Sequence, residues 1–191
     1  MISVDLSPEE RSILLRLARR SIDLAVNGRP LPRLVLSDYS APLRENGASF
    51  VTLTEQGELR GCIGALEAYQ PLVQDVCEHA VAAAQEDYRF TPVQPFEVAR
   101  LKIEISRLTP PDILKYSTPE ELLRLLRPGV DGVVLRDSVR RATFLPQVWE
   151  KIPQPADFLG QLCRKMGAPA DLWRTKPLQV SIYQVEEFAE E

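Results

Sequence analysis

The sequence predicts an α+β protein built from two related hairpin–helix–strand units that share one sheet, with helices packed on it. Three observations carry this. Leu101-Lys102-Ile103-Glu104-Ile105-Ser106 alternates apolar and polar residues, as a strand with one buried face does. Apolar residues recur at helical spacing in separate segments flanking such strands. The order hairpin, helix, strand occurs at 50–106 and again at 132–183. The 191 residues suffice for one sizeable domain, or one domain with two lobes, and we read 1–191 as a single domain.

The first helix, about 8–26, opens on Ser7-Pro8-Glu9-Glu10. Ser7 caps, Pro8 suits the first helical position, and Glu10 completes a capping box. Ile13, Leu14, Leu17, Ala18 and Ile22 form its apolar face, and Asn27-Gly28 ends it. Residues 29–47 hold Pro30, Pro32 and Pro42 and read as an extended connection. Phe50-Val51-Thr52-Leu53 reads as a strand, Gln56-Gly57 as a turn, and Leu59 to Ile63 as the returning arm. A helix from about Pro71 to Glu86 packs through Leu72, Val73, Val76, Ala80, Ala83 and Ala84. Pro110-Pro111 closes this half.

Thr118-Pro119-Glu120-Glu121 starts a short helix that Pro128-Gly129 stops. Gly132 to Leu135 and Ala142 to Leu145 read as a second hairpin. A helix from about Ala156 to Met166 and a strand from Leu178 to Tyr183 follow. The second half repeats the order of elements without the thiol and glycines of the first. A site is therefore expected near the first.

Composition narrows the classes of function. The chain is 45% hydrophobic and 26% charged, as ordinary globular proteins are. No apolar run reaches the ~20 residues that cross a bilayer, and Met1-Ile2-Ser3-Val4-Asp5 has no basic region followed by an apolar stretch, so no signal peptide is expected. Cys62, Cys77 and Cys163 are odd in number and widely spaced, which suits a reducing cytoplasm. A net charge of −4 speaks against dedicated nucleic-acid binding. Two local basic clusters, Arg16/Arg19/Arg20 and Arg136/Arg140/Arg141, read as solvated faces or as sites for an anion or acidic partner. With one histidine, and no CxxC pair, neither a metal site nor a cofactor is expected.

Candidate chemistry gathers at Leu59-Arg60-Gly61-Cys62-Ile63-Gly64. On a regular strand Arg60 would share a face with Cys62 and favour its thiolate. His79 is the one histidine that could serve as its base, although the helix wheel puts it at the edge of the polar face. Gly61 and Gly64 either present bare backbone N–H groups to an anion or form a bulge or tight exit from the hairpin. Glu104 is placed to approach Arg60 if its strand lies beside this arm, and Asp87 and Arg89 follow the helix nearby. Arg60, Gly61, Cys62, Gly64, Arg89 and Glu104 are therefore the candidate ligand-binding residues, with Cys62 the candidate catalytic one.

This segment resembles the AMMECR-type domain family, also called AmmeMemoRadiSam system protein A. The likeness extends through Phe50 to Leu53, Ala83-Ala84, Asp87-Tyr88-Arg89-Phe90-Thr91-Pro92, Ile103 to Ser106, Phe144-Leu145-Pro146-Gln147-Val148, Phe158-Leu159 and Leu162 to Lys165. Met166 stands where the family more often has alanine. The resemblance implies a lobed α+β fold around one barrel-like mixed sheet, with a cleft near the signature. It also implies association with a Memo-type protein and a radical S-adenosylmethionine protein. It carries over no catalytic residue. The expected function is binding of a small polar or anionic ligand, or a partner, beside Arg60–Gly64. The alternatives are an enzyme using the Cys62 thiolate and a structural scaffold.

Overall fold

Ser7 accepts the Glu10 N–H, and the Glu10 carboxylate accepts the Ser7 N–H, so the expected capping box starts α1 (Pro8–Val26). The computed structural model describes residues 5–191; Met1 to Val4, read above for a leader, lie outside the described residues. Leu14, Ala18 and Ile22 of α1 are fully buried, and Gly28 takes the left-handed conformation just past its end. The connection is extended, apart from single turns that include α2 (Ala41–Arg44).

The first hairpin pairs β1 (Asn46–Glu55) with β2 (Glu58–Gly64) around Gln56-Gly57. Both turn residues have positive φ, which matches the twist of the strands. After the short β3 (Gln70–Pro71), α3 (Leu72–Gln85) packs across β1 and β2, and α1 packs on α3. The chain returns as β4 (Leu101–Leu108) on the far side of β1. Val51, Leu53, Ile103 and Ile105 bury one face of this sheet against Val73, Val76 and Ala80 of α3.

The next segments are β5 (Asp112–Ile113), α4 (Pro119–Leu125), the hairpin β6 (Gly132–Asp137) and β7 (Arg140–Phe144), α5 (Pro155–Lys165), α6 (Leu172–Thr175) and β8 (Gln179–Tyr183). Their core joins Leu122, Val133, Leu135, Leu159, Leu162 and Val180. Within it Trp149 stacks on Phe158 at 3.6 Å and donates from its indole to the Asp131 carbonyl at 2.7 Å. Finally β9 (Val185–Ala189) joins the first sheet beside β4. There Glu186 accepts hydrogen bonds from the Leu6 amide, Arg11 and Arg107, and Glu190 holds Arg19. Arg19 of the first basic cluster is thereby engaged.

The α+β class stands, but one shared barrel-like sheet does not. The strands form two separate antiparallel sheets, ordered β2-β1-β4-β9 (with β3 on β1) and β5-β8-β6-β7, and neither closes into a barrel. The reason is local: each hairpin takes its own later strand as partner, β4 on β1 and β8 on β6, all antiparallel. One compact unit runs to Thr109 and takes in Glu186–Glu191; the other is Pro110–Val185. The Pro110-Pro111 break coincides with that boundary. Among the described residues, no helix is long and apolar enough to cross a membrane.

Candidate functional site

The signature does not lie on a regular strand. Leu53 pairs with Gly61, but the next residue of β1, Thr54, pairs with Leu59, leaving Arg60 as an extra residue in a bulge. The alternation that would put Arg60 beside Cys62 is therefore broken. Arg60 turns instead to Glu97, in the loop before β4. Its Nε and Nη2 reach the two carboxylate oxygens at 3.0 and 3.2 Å, with both side chains largely buried. The approach expected of Glu104 does not occur, because β1 stands between β2 and β4, and Asp87 is engaged elsewhere. Arg60 holds the Glu97 carboxyl below its ordinary pKa.

Gly61 faces the core. A Cβ there would lie 2.1 Å from the Ala83 carbonyl oxygen of α3. The glycine is thus required by the close approach of a helix backbone to a strand, not by an unusual φ. Gly64 faces the other way, where a Cβ would lie 2.4 Å from both the Phe50 ring and the Ser49 carbonyl oxygen. Both glycines are seats for packing groups.

Cys62 lies on β2, the edge strand, and its peptide is turned away from β1. The Cys62 N–H donates to Asp87 Oδ2 at 2.9 Å, and its carbonyl accepts from Arg89 Nη2 at 3.4 Å. Arg89 also grips Asp87 with Nε at 2.8 Å and Nη2 at 2.6 Å, while its own amide donates to Oδ1 at 3.2 Å. Asp87 is buried although Arg89 is half exposed. Arg89 and these backbone donors hold the Asp87 carboxyl far below the usual carboxylate range. Two side chains thus supply what a neighbouring strand would, and they cover an otherwise open edge.

The Cys62 thiol lies half-buried on the outer face, 3.2 Å from Thr52 Oγ1. An edge residue whose N–H and C=O point outward belongs to a pair whose side chains approach closely across the strands. Thr52 pairs on its other side with Glu104, which is exposed. Cys62, Thr52 and Glu104 therefore form one row across three strands. His79 does not join them. It projects from α3, on the opposite face of the sheet, and its Nδ1 lies 3.1 Å from Asp75 Oδ2, which also accepts Ser49 Oγ at 2.6 Å. Cys77 and Cys163 are buried and unbridged, and burial raises both thiol pKa values. Among the described residues, no group of three or more His, Cys, Asp or Glu side chains could hold a metal ion.

Two residues of the site escaped the sequence reading. Glu97 had one local signal, since Glu97 Oε2 accepts the Gln94 N–H at 2.7 Å in a cap-like arrangement. Thr52 had none, because its partner depends on the bulge.

Gly61→Ala is expected to cost about 3 kcal/mol, since α3 and β2 must separate. By contrast, Gly160→Ala would meet only an ordinary 3.5 Å contact in α5 and should be neutral or stabilising by up to about 1 kcal/mol. Chemical denaturation of the two variants checks this. Asp87→Ala should cost about 2–3 kcal/mol at pH 7 by orphaning Cys62 N–H and Arg89. The depressed carboxyl gives its full contribution above the unfolded value of about 3.9 and loses it as pH falls toward the folded value. The gap between wild type and Asp87→Ala should therefore stay constant from about pH 7 to 5 and narrow below about pH 4 in a denaturation series.

The family model AMMECR1 matches residues 15–188. A protein of Methanothermobacter thermautotrophicus is 36% identical over 187 residues, covering 97% of each chain. A protein of Thermofilum pendens is 37% identical over 203 residues, covering 97% of this chain and 92% of its own. The crystal structure of uncharacterized protein PH0010 from Pyrococcus horikoshii superposes with a TM-score of 0.75 at 33% identity, covering 97% of this chain and 94% of that one. Family model, relatives and solved structure agree over nearly the whole length, and the chain belongs to the AMMECR1 family.

Proposed function

We propose that this chain is a cytoplasmic binding or accessory protein. It captures a small polar or anionic ligand, or a polar segment of a partner, on the outer face of its first sheet beside Arg60–Gly64. One observation carries the reading: Cys62, Thr52 and Glu104 stand in a row on a backbone fixed from behind by Gly61 and from the edge by Asp87 and Arg89. A site held this firmly needs little ordering on binding. The Nη1 group of Arg89 makes no hydrogen bond among the described residues and keeps its donors for a ligand. Family membership supports service in a modification pathway with a Memo-type and a radical S-adenosylmethionine protein. The shared order β2-β1-β4 and β7-β6-β8 supports reading the two units as copies of one ancestral element.

Binding is favoured over thiolate chemistry because His79 is on the other face and Arg60 is committed to Glu97. Arg60→Ala cannot test the reading, since it strands the Glu97 carboxylate. The double variant Thr52→Val/Glu104→Gln changes only the outer face. Saturation-transfer NMR against a panel of small polar metabolites that carry hydrogen-bond donors should find a saturable binder for wild type that the double variant loses at an unchanged thermal midpoint. No binder, or one retained by the double variant, contradicts the proposal. Rapid alkylation of Cys62 by iodoacetamide below pH 7 would favour the enzyme instead.

A further inference from the structure

The first unit holds a recess on the helix-covered face of its sheet, the opposite face from the Cys62 thiol. It is a cavity of about 470 Å³ bounded by α3, by Ile63 of β2, by Tyr69 just before β3 and by Leu31 of the connection after α1. Small-molecule sites commonly enclose roughly 300–1,000 Å³. His79, Ala82 and Glu86 line it from one stripe of α3 and the residue that caps its end, at helical spacing. Leu31, Ile63 and the Tyr69 ring supply apolar surface.

The charge around this cavity is one-sided. Asp75, fully buried one turn before His79, uses a single oxygen, Oδ2, to accept Ser49 Oγ at 2.6 Å and to pair with His79 Nδ1 at 3.1 Å. Its other oxygen, Oδ1, is buried without a hydrogen-bond partner among the described residues. A carboxylate only accepts, so Nδ1 carries the imidazole proton and Nε2 of the neutral ring is an acceptor. His79 is only 7% exposed, it lines the cavity, and its Nε2 has no partner among the described residues. A buried acceptor without a donor is costly, so this nitrogen calls for a donor from outside the chain. Glu78, also in the lining, is met only by the neutral amides of Gln70 and Gln74, at 2.8 and 2.9 Å. The exposed Glu86 carboxylate makes no hydrogen bond or ion pair among the described residues. Among the described residues, no lysine or arginine lines the cavity. The Tyr69 phenol senses the result: desolvation raises its pKa first, and the Asp75 and Glu78 charges raise it further.

We propose that this cavity binds a small organic cation, an amine with an apolar body, whose N–H groups donate to His79 Nε2 and whose charge is met by Glu86 and Glu78. The apolar body lies against Leu31, Ile63, Ala82 and the Tyr69 ring. An ammonium group carries donors only, which suits a wall of acceptors, and charge-assisted hydrogen bonds are the stronger kind. The buried Asp75 carboxylate adds a negative charge behind His79, so an anion of the same shape is repelled.

His79 is the one histidine of the chain, so its imidazole signals report on the cavity directly. Histidine-selective NMR of the ring nitrogens in the full chain tests the proposal at about pH 7.5, by titration with phenethylamine and with hexylamine. Phenylpropionate at matched ionic strength is the anionic control. At least one amine should move the His79 Nε2 signal along a saturable single-site curve, and phenylpropionate should bind at least about tenfold more weakly. Glu86 is exposed and has no side-chain partner among the described residues, so Glu86→Gln keeps the fold. It should weaken amine binding about fivefold or more, as loss of a charge-assisted contact does. The bound amine should also raise the thermal midpoint of wild type more than that of Glu86→Gln. No saturable binding of either amine, binding that leaves the His79 signal in place, equal uptake of phenylpropionate, or unchanged affinity in Glu86→Gln would overturn the proposal.

Discussion

A carboxylate taken out of water must be met by donors or it will not stay charged. Asp87 is met by the amides of Cys62 and Arg89 and by the Arg89 guanidinium. This arrangement fixes the edge of the first sheet. It closes the outer side of the Cys62 peptide, lets β2 end the sheet without an open ladder, and ties the loop after α3 to the strand that α3 covers. The close approach at Gly61 brings α3 onto β2, and the Arg60–Glu97 pair holds the bulge from the other end. What reads in the sequence as a reactive-cysteine motif is, residue by residue, a fastening around one half-buried thiol.

Much of the fold was legible. Helical period and N-terminal capping residues located α1, α3, α4 and α5 to within a residue or two, because those signals are local. Alternation located β4, and the Gln56-Gly57 turn located the first hairpin. The proline pair marked the boundary between units. What was not legible were features decided by distant partners. β9 has little apolar pattern, and glutamates that bind arginines of α1 help hold it. The separation into two sheets depends on which strand each hairpin accepts, which no local signal states.

The site was less legible than the fold, and the bulge explains why. Counting outward from the turn pairs Thr52 with Gly61 and Leu53 with Arg60. The extra residue at Arg60 shifts the register by one, so Thr52 meets Cys62. A shift of one residue exchanges the faces of a strand. The partners of Arg60 and Cys62 were therefore misread together. His79 failed for a different reason: Asp75 lies one turn before it on the same helix and Ser49 lies beneath, and both draw it to the core side of the sheet.

On the first sheet Cys62, Thr52 and Glu104 stand in one row across three strands; on the second, Arg136 faces Arg141 across the hairpin. Both are placed by strand pairing, which positions side chains more firmly than loops do. The central claim is that Asp87 makes the edge of β2 behave as if another strand were bound. Native-state hydrogen exchange at the Cys62 amide measures this most directly. Slow exchange in wild type, comparable to interior amides of β1, and fast exchange in Asp87→Ala are the predicted results. A Cys62 amide that already exchanges in wild type as fast as an open strand edge would contradict it.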